Sequence, residues 1–69
     1  MERTQVGSSN IESIGYDSDS ETLEVEFSNG GLYQYFGVPA YVYDELMSAS
    51  SHGGYLASNV KGIYSYSKV

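Results

Sequence analysis

Apolar and polar residues alternate strictly over Leu23-Glu24-Val25-Glu26-Phe27, the pattern of a strand with one buried and one wet face. Leu23, Val25 and Phe27 are assigned to the core, Glu24 and Glu26 to water. An earlier strand is predicted over about residues 10–16, where Ile14 and Tyr16 share a face and Ile11 marks the entry. Between the two, Asp17-Ser18-Asp19-Ser20-Glu21 contains no apolar residue. Its side chains readily bond their own backbone, so it is assigned as a turn.

Ser28-Asn29-Gly30-Gly31 forms the next turn, since Asn and Gly tolerate the positive φ that hairpins require. A two-residue Asn29-Gly30 loop pairs Phe27 with Leu32 and sends Tyr33 and Tyr35 to the glutamate face. A three-residue Ser28-Asn29-Gly30 loop instead pairs Val25 with Tyr33, Leu23 with Tyr35, and Glu24 with Gln34. The odd loop is preferred, because it gathers the polar side chains on one face and the tyrosines on the apolar one.

The period then changes. Val38-Pro39 opens a helix with Pro39 at the first helical position, where its missing N–H is not needed. Pro39, Val42, Leu46 and Ala49 make one stripe, flanked by Tyr43 and Met47. Tyr41, Asp44, Glu45 and Ser48 face outward, with Asp44 and Glu45 near the helix start, where they complement its dipole. Ser51 is expected to cap a second, short helix through Tyr55, Leu56 and Val60, which Gly62 ends. Residues 63–69 are predicted as a closing strand. The expected order is β-β-β-α-α-β: an α+β fold with a small antiparallel sheet and two helices on one face.

Length permits a single domain over residues 1–69, with residues 1–6 expected to be a loosely ordered N-terminal segment. A chain of this size buries about 60% of its unfolded surface, which leaves a thin margin of stability. There is no cysteine, hence no disulfide framework and no thiolate metal site. At 41% hydrophobic and 17% charged, the chain is too apolar for a disordered tail. No run approaches the roughly 20 apolar residues of a membrane span, and the polar start carries no export signal. The cytoplasm is therefore the expected compartment, and no membrane partner is expected.

Nine acids against three bases give a formal charge of -6. That opposes tight binding to a phosphate backbone, whose affinity rests on Lys and Arg. Chemistry is sparse as well. Asp17-x-Asp19-x-Glu21 starts like a calcium loop, but Thr22 stands where the glycine belongs and Ser28 where the bidentate glutamate belongs. A solvated acidic turn is preferred. His52 is the one candidate general base and sits among serines and glycines, where a surface or capping role is the default. No nucleotide loop, metal set or cofactor motif is present, so neither catalysis nor a cofactor is expected.

The binding candidates are tyrosines. Tyr64-x-Tyr66-x-Lys68, with Lys61 just before it, alternates aromatic rings and a base on one strand face. Tyr33 and Tyr35 could act as stacking platforms worth about 1–3 kcal/mol per nucleobase. In the odd-loop register they are core. A separate acidic interaction face is assigned to Asp17, Asp19, Glu21, Glu24 and Glu26.

Several segments together resemble one family. Ser8-Ser9-x-Ile11-x-x-Ile14-Gly15-Tyr16-Asp17, Leu23-x-Val25-x-Phe27, Gly31-x-Tyr33-x-Tyr35, Val38-Pro39, Tyr43-x-x-Leu46 and Ser51-x-Gly53-x-Tyr55-Leu56 occur in order over residues 6–69. The pattern is similar to that of the KTSC domain, a short bacterial domain named for its place at the C-terminus of some lysyl-tRNA synthetases. The resemblance implies a small free-standing or appended domain without an established role, for which RNA binding has been suggested. Two partner classes follow. A protein partner, basic enough to meet the acidic face, is the first expectation; weak binding of single-stranded RNA or DNA on the tyrosine-rich strand face is the alternative.

Overall fold

Gly30, at φ +95°, settles the register of the central hairpin in the computed structural model, which describes residues 1–69. The chain runs β1 (Arg3–Gln5), β2 (Ile11–Asp17), β3 (Thr22–Phe27), β4 (Leu32–Tyr35), α1 (Ala40–Ser48), α2 (His52–Asn59) and β5 (Tyr66–Lys68). The β3–β4 turn closes when the Gly30 N–H donates to Phe27 O at 2.9 Å and the Phe27 N–H to Gly31 O at 2.8 Å. This is the three-residue loop, with a left-handed glycine third. Leu23 accordingly faces Tyr35, Val25 faces Tyr33 and Glu24 faces Gln34.

All neighbouring strands are antiparallel, in spatial order β1-β2-β3-β4-β5. The alternation of β3 leaves an apolar face, and both helices cover it. Ile14, Leu23, Val25 and Tyr35 from the strands join Val42, Leu46, Leu56 and Val60 from the helical half in one buried cluster. Ile11 and Ile14 are three residues apart and would oppose each other on a regular strand. A bulge between Ile11 and Ser13 resets the register, so Ile11 faces Phe27 and Ile14 faces Val25 on the same side.

Four features differ from the expectation. The strands number five, because Arg3–Gln5 from the segment expected to be loose pairs with β2, Arg3 opposite Gly15. Pro39 is the N-cap of α1 rather than its first helical residue. Asp44 and Glu45 therefore lie in the second turn, and no acid occupies the first. The closing strand is short, since residues 60–64 turn at Gly62 (φ +79°) with the Ile63 and Tyr64 N–H groups both donating to Val60 O. Ser51 caps α2 as expected, accepting from the Gly54 N–H at 3.1 Å. No helix is long and apolar enough to cross a membrane.

Candidate functional site

β5 returns to lie beside β4, which places Tyr66 next to Tyr35 and Lys68 next to Tyr33 on the helix-side face. The helices stop short of this corner. A groove of about 410 Å³ remains, lined by Phe27, Tyr33, Tyr35 and Tyr66 with Asn29, Lys61 and Gly62 at its rim. Tyr35 is its buried floor, Tyr33 and Phe27 are half-buried, and Tyr66 is 62% exposed. Phe27 and Tyr33 meet edge to face at 5.5 Å, and the Tyr66 ring leans on Tyr33 and Tyr35 at 5.8 and 5.9 Å. Burial, helped by the neighbouring Tyr33 and Tyr66 hydroxyls, raises the Tyr35 phenol above its ordinary value.

Both lysines attend this groove. The turn after α2 sets the Lys61 Nζ 5.0 Å from the Phe27 ring centroid, and the Lys68 Nζ lies 5.9 Å from that of Tyr33. Neither has a carboxylate partner. Of the candidates on the closing segment, Tyr66, Lys61 and Lys68 thus come together with Tyr33 and Tyr35. Tyr64 does not: it precedes the strand, half-buried against the core, so the expected shared face of Tyr64 and Tyr66 is corrected.

On the opposite face, two of the acids assigned there are paired within the chain. Arg3 reaches from β1 across the sheet to Glu24, with its Nε on Ser13 Oγ at 2.9 Å. The Ser13 hydroxyl in turn donates to Glu26 Oε1 at 2.9 Å, and the Gln34 amide donates to Glu24 Oε1 at 2.8 Å. Glu24 is 7% exposed. The Gln34 hydrogen bond, and after it Arg3, holds its carboxyl below the ordinary value against the opposing effect of burial. Asp17 ends β2 opposite Thr22, on the sheet face of Glu24, and its Oδ1 accepts from the Asp19 N–H at 3.0 Å; Asp19 and Glu21 lie in the β2–β3 turn, Glu21 at φ +53°. Of the five acids, Glu24 and Glu26 are thus already engaged by Arg3, Ser13 and Gln34.

Sequence reasoning missed Phe27 as part of the site, having assigned it wholly to the core. The signal was its place at the end of β3, next to the turn. His52 begins α2 beside a second, polar groove of about 390 Å³ formed where residues 7–10 meet 50–54. The serines there have backbone tasks: Ser8 Oγ accepts from the Ile11 N–H at 3.3 Å, and Ser51 Oγ caps the helix. Gly53 packs against the Asn10 side chain, whose Oδ1 would stand 2.8 Å from a Cβ there and would have to move aside.

Comparison with known proteins matches the model of the KTSC domain to residues 7–68. A protein of Stutzerimonas stutzeri is 47% identical over 53 residues, covering 77% of this chain and 75% of its own. A lysine–tRNA ligase of Trichormus variabilis is 39% identical over 59 residues, 86% of this chain but 10% of the ligase. The crystal structure of a KTSC domain protein from Yersinia pestis superposes with a TM-score of 0.96 at 43% identity, covering 99% of this chain and 96% of that one. The hairpin, the helix caps and the closing turn described above thus serve a shared architecture, and the chain belongs to the KTSC domain family.

Proposed function

We propose that this domain is a non-enzymatic protein-interaction module, and that its partner docks in the aromatic groove. One observation carries this reading: the two bases without a carboxylate partner flank the groove, on a chain of charge -6. Arg3, the third base, is committed to Glu24 and Glu26 on the opposite face. With those glutamates occupied, the basic partner first expected loses its main contacts. An acidic segment with an apolar side chain fits the groove better: rings for the apolar part, ammonium groups for the acid.

RNA is the second reading, supported by the match to part of a lysine–tRNA ligase and by the exposed Tyr66 ring. Two lysines neutralise few phosphates, and the Tyr33 and Phe27 rings already carry lysines. Protein is therefore preferred, in the cytoplasm.

The test compares tagged wild type with Lys61→Glu/Lys68→Glu in lysate of cells that carry the protein, with and without ribonuclease. The expected result is a partner held by wild type, lost from the variant and indifferent to ribonuclease. Equal recovery by both proteins would overturn groove docking. Recovery abolished by ribonuclease would replace protein with RNA.

A further inference from the structure

β5 is the outer strand of the sheet, and its backbone is only half used. The Phe36 N–H donates to Ser65 O at 2.9 Å and the Val69 N–H to Leu32 O at 2.8 Å. Antiparallel ladders alternate, so Ser67 is bonded inward between these two. The N–H and C=O groups of Tyr66 and Lys68 consequently point away from the sheet, along its open edge. Their side chains stand on the helix-side face, where Tyr66 walls the groove and Lys68 lies over Tyr33.

An unpaired edge beside a pocket is the arrangement by which strand addition combines main-chain affinity with side-chain selection. Here both levels point to one occupant. An antiparallel strand laid along β5 would exchange backbone bonds with Tyr66 and Lys68, its residues opposite those two sharing their face. Opposite Lys68, whose ammonium has no carboxylate, an acid is favoured. Two residues further along the added strand, opposite Tyr66, an aromatic side chain can lean over that ring into the groove.

We propose that β5 accepts an extended partner segment as a sixth strand, with the pattern acid-x-aromatic set antiparallel against Lys68 and Tyr66. The proposal rests on the protein-docking reading above and specifies how the partner is held.

The probe is the blocked pentapeptide acetyl-Thr-Glu-Thr-Phe-Thr-amide, titrated into isotope-labelled protein and followed by amide chemical shifts. Three companions are titrated alike: the peptide N-methylated at Glu and Phe, the peptide with Lys in place of Glu, and hexauridylate. The parent peptide is expected to shift Tyr66, Lys68 and Tyr33. N-methylation and the Lys substitution should each weaken it at least about tenfold, or about 1.4 kcal/mol. Lys68→Glu should reverse the preference between the Glu and Lys peptides. An N-methylated peptide that shifts the same residues equally well overturns strand addition while leaving groove docking intact. Shifts with hexauridylate alone, or with none of the probes at millimolar concentration, overturn the proposal; the former also overturns protein docking.

Discussion

Tyr35 and Tyr66 are paired neighbours with opposite duties. Tyr35 is 4% exposed and belongs to the buried cluster. Truncating such a ring costs about 3–5 kcal/mol, a large share of the margin of so small a domain. Tyr35→Ala is therefore expected to leave little folded protein in a thermal melt followed by circular dichroism. Tyr66→Ala, at an exposed site, should melt within about 1 kcal/mol of wild type. Glu24 gives a second test. Its folded pKa lies below the reference 4.5, so the unfolded chain takes up the proton first. The stability it adds is complete above about pH 4.5 and is lost as pH falls through the lower, folded value. Melting temperature against pH should fall less steeply in acid for Glu24→Gln. The inward position of Tyr35 was legible in the sequence, because loop parity and alternation determine a face. The burial of Glu24 was not: alternation names the face but is silent on what covers it, and Arg3 lies 21 residues away.

At the scale of elements, β3, β4 and both helices follow local chemistry and could be read from it: alternation, a glycine turn, a serine cap. β1 could not. Its three residues are all polar and exposed, and pairing with β2 is what makes them a strand. Gly15 permits that pairing, for a Cβ there would stand 2.6 Å from Glu2 O. Gly15→Ala is expected to displace β1, speed amide exchange at its residues and lower the melting temperature, even though alanine ordinarily favours a folded chain over glycine. The helices have their own tie, a hydrogen bond of 2.6 Å from the Tyr55 hydroxyl to Glu45 Oε1. It pushes the Tyr55 phenol up to about 12. An absorbance titration of Tyr55→Phe should accordingly lose the last phenol step seen in wild type. The split of the closing segment into a turn and a short strand was hidden as well. Tyr64 and Tyr66 fall in one alternating run of the sequence, and the turn that draws the Ile63 and Tyr64 N–H groups to Val60 O separates them.

Taken whole, the molecule divides its charge unequally across the sheet. Arg3 is neutralised on one face, while the two lysines stay unpaired on the other. The groove between those lysines is built from both ends of the topology: Phe27, Tyr33 and Tyr35 from the central hairpin, Lys61 and Tyr66 from the segment that follows both helices. The hairpin closes through neighbours in the chain, whereas β5 can dock only after α1 and α2 have been laid down. Contacts of long sequence separation form late and open early. Amide exchange is thus expected to be faster at Ser67 than at Val25. Without the segment that follows the helices the groove keeps its floor but lacks the Tyr66 wall, both lysines and the free edge, so on the proposed docking a chain folded only through its hairpin should not hold the partner. The site therefore exists only when the β5 end of the fold is docked, and its loss should accompany any opening of that strand.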